Sequence, residues 1–183
     1  MRLDQIHYRF RQFWQALYAV PDPADLALAQ TILSPAQTEL FLRLQVSEQA
    51  HSLRVFKRLY AQGERDPGEH LPDLLVAALL HDVGKSCHRL YLWERILIVI
   101  AKAIYPDSIH RWGSLPPGSG YGWRRAFVIA EQHPLWGAEL SAAAGSSPLV
   151  VALIRRHQET PVQSPDSIED KLLARLQAAD GSH

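Results

Sequence analysis

Residues 72–85 read PDLLVAALLHDVGK. Residues 74–80 are all apolar, which leaves no polar face and predicts a central, buried helix. The run then delivers two polar side chains, His81 and Asp82, with Gly84 as the expected helix stop. A buried imidazole and carboxylate are costly unless something satisfies them. For an isolated His-Asp pair, an N–H to carboxylate hydrogen bond is enough. A metal ion satisfies both together, taking neutral imidazole nitrogen and carboxylate oxygen as ligands.

Outward from this segment the signals stay helical. Asp22-Pro23, Ser34-Pro35, Ser147-Pro148 and Ser164-Pro165 each read as an N-cap followed by proline at the first helical position. Ser34 also has Gln37 three residues on, a capping box. Leu40, Phe41, Leu44 and then Leu53, Phe56, Leu59, Tyr60 recur at helical spacing, and convincing strand alternation is absent. The expectation is an all-α protein with helices near 3–19, 23–33, 35–45, 47–62, 72–82, 89–105, 123–132, 134–144, 148–158 and 167–179. Residues 1–39 are expected to form an N-terminal helical extension on a main domain of residues 40–183.

Composition excludes several classes. The chain has 183 residues, and 47% are hydrophobic, enough for one domain to bury a core without disulfides. Its 19 basic and 19 acidic side chains cancel, so no duplex nucleic acid is expected as a partner. The single Cys87 and an opening, MRLDQIHYRFRQ, without an apolar run give a cytoplasmic expectation. Cys87 lacks a Cys–His–Asn pattern and reads as a small buried hydrophobe. The glycine-rich stretch GSLPPGSGYG, 113–122, lacks the lysine and strand–helix setting of a phosphate-binding loop and reads as a lid or surface loop. LYLWERILIVIAKAIY, 90–105, is too interrupted by charge to span a membrane. It is expected as a core helix or a homodimer contact, with an in-plane membrane helix as the alternative.

The nine histidines supply the rest of the pattern. His51 lies inside the helical stretch SEQAHSLRVFKRL, upstream of His81 and Asp82. His133 precedes Pro134 in AEQHPLWGAEL, His157 ends SPLVVALIRRHQE, and Asp180 ends KLLARLQAAD. Each of these residues sits on or at the end of its own helix. Converging helices that each supply an inward His, Asp or Glu are how bundles build dinuclear metal sites.

The order His51, His81-Asp82, His133, His157, Asp180 resembles the HD-domain superfamily of metal-dependent phosphohydrolases. LLHDVGK is similar to that family's HD-x-G-K hallmark, and HPLWGAEL and LIRRHQE are similar to its later histidine motifs. The resemblance covers about residues 40–180 and implies a helical bundle with the site in its core. It also implies divalent metal at His51, His81, Asp82, His133, His157 and Asp180. The two additional histidines, His133 and His157, resemble the branch holding two ions, with Asp82 as the bridge. One ion would take His51, His81 and Asp180, the other His133 and His157. Iron, manganese, zinc, cobalt and nickel all suit such donors. The segment HQETPVQSPD after His157 departs from the signature of the cyclic-di-GMP-degrading subgroup.

The activity so implied is hydrolysis of a phosphomonoester or phosphodiester, of a nucleotide by expectation, by metal-activated hydroxide. Asp82 would bridge and orient. Lys85 would meet a phosphoryl oxygen, and Arg54, one turn after His51, would reach substrate phosphate or hold a carboxylate. Two other readings remain open: a di-iron oxygenase of the same superfamily and a non-catalytic signalling scaffold.

Overall fold

The computed structural model describes residues 19–63, 68–114 and 121–181. Among them are nine α-helices and no strands: α1 Pro23–Ile32, α2 Pro35–Leu42, α3 Val46–Gly63, α4 Leu71–Leu80, α5 Leu92–Ile104, α6 Pro106–Gly113, α7 Arg125–Ala143, α8 Pro148–Arg156 and α9 Ile168–Asp180. A short 3-10 turn, Val83–Cys87, follows α4. The helix expected near 3–19, and residues 115–120 of the expected loop, lie outside the described residues.

Local chemistry starts the helices. Asp22 accepts from the Ala24 N–H at 2.8 Å, and Ser147 from the Val150 N–H at 3.2 Å. Ser34 and Gln37 exchange bonds of 3.3 and 2.9 Å, closing the capping box. Ser164-Pro165 does not start a helix. Ser167 caps α9 instead, accepting from the Asp170 N–H at 3.0 Å.

Packing centres on α4. Leu74, Leu75, Ala77, Ala78, Leu79 and Leu80 are buried in one core with apolar side chains of α3, α8 and α9, and Ala29 and Leu33 join the same core from the N-terminal side. Beside it, α5, α6 and the first half of α7 pack a smaller apolar cluster around Ala101, Ile109 and Phe127. Helix α7 therefore runs from this side lobe into the main core.

Four expectations are corrected. Residues 123–132 and 134–144 are not two helices, because α7 continues through Pro134. A helix absent from the sequence reading, α6, begins at Pro106. Residues 90–105 are not a core helix, since Val99, Ile100 and Ile104 on the outer side of α5 are exposed. Cys87 is exposed rather than buried.

Candidate metal centre

Helix α4 ends at Leu80, and the next two residues turn His81 and Asp82 into the protein interior, where they are 1% and 3% exposed. Gly84 makes that placement possible through contact, not through a left-handed backbone, since its φ is not positive. A Cβ built there would stand 1.9 Å from the His133 carbonyl oxygen and 2.7 Å from the Gly137 nitrogen. Only a glycine lets the turn carrying Asp82 lie directly on α7. His51 projects from α3, His133 from the middle of α7, His157 from the end of α8 and Asp180 from the last turn of α9.

These six side chains converge in two groups of three, His51–His81–Asp180 and Asp82–His133–His157. In the first, His51 Nε2 is 2.9 Å and His81 Nε2 3.8 Å from Asp180 Oδ1. In the second, Asp82 Oδ1 is 3.2 Å from His133 Nε2 and 3.9 Å from His157 Nε2. The other oxygen of the same carboxylate, Oδ2, faces the first group, 3.7 Å from His81 Nε2 and 3.9 Å from His51 Nε2. Asp82 thus turns one oxygen to each group.

Three of the rings are anchored from behind. His81 Nδ1 lies 2.9 Å from the Ala78 carbonyl, and His157 Nδ1 2.7 Å from that of Ile154. His133 Nδ1 lies 3.0 Å from Ala130 O and 3.1 Å from Ile129 O. Carbonyls only accept, so in each ring Nδ1 carries the proton and the Nε2 lone pair faces the centre. Pro134 contributes to this. It has no N–H for the Ala130 carbonyl four residues back, and His133 Nδ1 donates to that carbonyl instead.

The outcome is acceptor facing acceptor. His133 Nε2 and His157 Nε2 are 3.3 Å apart, beside the Asp82 carboxylate. The buried Nε2 of His81 has no hydrogen-bond partner among the described residues. Such a cluster is unfavourable unless a cation sits among the lone pairs, and four imidazole nitrogens with two carboxylates are a donor set that suits a divalent transition metal.

The electrostatics point the same way. Burial holds the imidazole of His81 below its ordinary pKa and pushes that of His157 down to about 3, so both are neutral at pH 7. Burial alone would raise the Asp82 carboxyl. The Lys85 ammonium outweighs it and holds the group well below the usual carboxylate range. For Asp180, too, the His51 hydrogen bond overcomes burial and lowers the carboxyl. Neutral imidazole and ionised carboxylate are the forms in which these groups bind metal.

Two cations border the cluster. Lys85 Nζ is 2.7 Å from Asp82 Oδ2, and despite burial its ammonium is favoured by Asp82 and Glu48. Among the described residues Arg54 holds no carboxylate. Its buried Nε has no hydrogen-bond partner among the described residues, and burial and Arg58 lower its pKa. Arg58 fastens α3 to α9, donating to the Ala179 carbonyl at 2.7 Å, next to Asp180.

Residues 49–180, more than half of the chain, match the HD domain family. The chain belongs to the HD-domain family. HD domains are mostly metal-dependent hydrolases and bind divalent metals. No curated protein and no solved structure matches the chain. Two features of this HD domain escaped the sequence reading. Glu48, one turn before His51, is buried and bonded to Arg95 at 2.7 Å, and it adds to the field on Lys85. The carbonyls that orient the rings come from one turn before each histidine, a spacing that helical placement alone contains.

Proposed function

We propose that this HD domain is a phosphohydrolase that cleaves a phosphomonoester or phosphodiester of a nucleotide, using two divalent ions held by His51, His81, Asp180 and by Asp82, His133, His157. The observation that carries the reading is the division of the Asp82 carboxylate between two groups of inward lone pairs. A divalent ion in such a site polarises a phosphoryl oxygen and brings the pKa of a water toward neutrality.

The chain's own residues supply the rest. Lys85 spends one N–H on Asp82, which leaves two donors for a phosphoryl oxygen. Arg54, one turn from His51, is a guanidinium with no acid to balance it among the described residues, as an anionic substrate requires. An open cleft of about 670 Å³ reaches Lys85, and the described residues lining it include Arg43, Arg89, Gln45 and Gln49 but no carboxylate. A second cleft, of about 410 Å³ and lined by different residues, reaches His157 and Asp180. One entrance therefore favours an anion, and the other is lined by Glu131 and Glu159. A scaffold has no use for six converging ligands, four of them buried.

The test is metal analysis of protein purified without added metal, followed by a panel of phosphomonoesters and phosphodiesters with and without oxygen. Cleavage that continues without oxygen, and that manganese or zinc restores to metal-free protein, is expected. Turnover that only iron supports and that consumes oxygen would instead make the site an oxygenase. Inertness toward every ester with metal fully bound would leave a scaffold.

A further inference from the structure

Helix α5 has the composition of a buried helix in an exposed place. Its sequence, LWERILIVIAKAI, contains only three charged residues. The inward side is ordinary: Glu94 and Ala101 are buried, and Leu97 and Ile98 pack the side cluster. The outward side is apolar as well. Leu92 is 42% exposed, Trp93 57%, Val99 48%, Ile100 50% and Ile104 59%. Leu92 and Trp93 lie two turns before Val99 and Ile100, with half-buried Ile96 between and Ile104 four residues beyond Ile100, so they form one stripe along the helix. Aromatic groups close both ends. Tyr91 stands exposed at the start, while Tyr105 and Trp123 are exposed at the far end, each against Trp112. A continuous apolar surface of this kind marks a docking face.

Charge selects what docks. From Cys87 to Ala126 the sequence has six basic residues, Arg89, Arg95, Lys102, Arg111, Arg124 and Arg125, and two acidic ones, Glu94 and Asp107. The remainder of this electrically balanced chain is correspondingly acidic. Glu94 is buried and paired with Arg125 at 2.5 Å, and Arg95 is paired with Glu48 at 2.7 Å, so neither pair gives the surface net charge. Arg89 and Arg111 are exposed, with no ion pair among the described residues, and the Arg124 guanidinium lies 5.2 Å over the Trp123 ring. A second copy packed about a two-fold axis would set this cationic lobe against itself. An anionic bilayer offers apolar depth for the stripe, an interfacial zone for Trp and Tyr, and phosphates for the arginines.

We propose that the α5–α6 lobe is an in-plane docking surface for an anionic membrane, with α5 lying along the interface. No described helix is long and apolar enough to cross a bilayer, so the association is peripheral. It is also reversible, since one helix face with a few cations gives modest affinity. Arg89 belongs both to this cationic rim and to the cleft that reaches Lys85, so one entrance to the metal centre opens beside the docked face.

The experiment is cosedimentation of the full chain with vesicles of phosphatidylcholine alone and with about one third phosphatidylglycerol, at low and high salt. Binding is expected to the anionic vesicles only and to weaken with salt. Arg111→Ser and Arg124→Ser should each reduce it about fivefold. Ile100→Glu should reduce it at least about tenfold, with an unchanged circular dichroism spectrum because Ile100 is exposed. Should Ile100→Glu fail to fold, the two arginine variants decide alone. Absence of binding to anionic vesicles, or equal binding to both kinds, overturns the proposal. So does a stable dimer in light scattering that Ile100→Glu splits, which would assign the face to a second copy.

Discussion

A carboxylate buried as deeply as Asp82 stays ionised only where cations and donors outweigh its lost hydration. Here the Lys85 ammonium does so, and each carboxylate oxygen faces a different group of ligands. Asp82→Asn keeps the volume and removes the charge. It should weaken metal binding by more than about a hundredfold, beyond what loss of an outer hydrogen-bond partner brings; titration calorimetry and metal content would read this. Lys85→Met keeps the aliphatic stem and removes the ammonium. Under saturating metal it should retain its ions and lose about a hundredfold in turnover, the scale of one missing transition-state donor. Metal loss equal to that of Asp82→Asn would show that Lys85 serves to hold the carboxylate and not the substrate.

Two helix contacts set how the ligands are aimed, and both can be perturbed. Pro134 sits inside α7, where proline costs about 3 kcal/mol relative to alanine, and it leaves the Ala130 carbonyl to His133. Pro134→Ala restores an N–H that competes for this carbonyl. The variant should melt at higher temperature yet bind metal about tenfold more weakly. A rise in melting temperature with unchanged affinity would make Pro134 merely tolerated. Gly84→Ala drives a Cβ into the backbone of His133 and Gly137, so the turn bearing Asp82 must leave α7. A loss of at least about 2 kcal/mol in denaturant unfolding is expected, together with loss of metal. Both contacts bear on what the sequence could tell. The Ser-Pro starts of α2 and α8, and the order of the six polar side chains, are local signals that need no knowledge of neighbours. Pro134 also looked like a helix start, because the rule that places proline at the first turn cannot see a histidine taking over the freed carbonyl. Gly84 looked like a left-handed stop, and its real constraint is a helix on the opposite side. Helix α5 looked like core because apolar composition does not reveal which side of a helix is covered. Ring orientation was contained in the helical placement of His81, His133 and His157, since each ring is held by a carbonyl one turn back, and the sequence reading did not use it.

The metal centre also ties the protein's stability to pH, since it joins α3, α4, α7, α8 and α9 through groups held in their metal-binding protonation states. His81 and His157 have lowered folded-state pKa values, that of His157 about 3, whereas the unfolded chain takes up their protons near the ordinary 6.5. Below about pH 6.5 the unfolded state therefore binds more protons than the folded one, and metal-free protein loses stability as pH falls. Each such histidine contributes a slope of about 1.4 kcal/mol per pH unit within its window. Asp82 and Asp180 act in the same direction at lower pH, since their depressed folded values give stability present above the ordinary carboxylate pKa and lost as pH falls below it. Urea unfolding of metal-free protein should thus weaken steadily from pH 7 to pH 5, with little change from pH 7 to pH 8 from these four groups. Metal adds stability by binding only the folded form, about 4 kcal/mol at a thousandfold excess over its dissociation constant. At pH 7 these four ligands have no proton left to lose, so calorimetry in buffers of different ionisation enthalpy should find almost no proton release from them. At pH 5 the deep burial of His157, whose pKa is about 3, keeps its release small, whereas a solvated histidine would give up nearly one proton. Release of about two protons at pH 5, or stability independent of pH between 5 and 7, would show that the imidazoles are not held neutral by the fold.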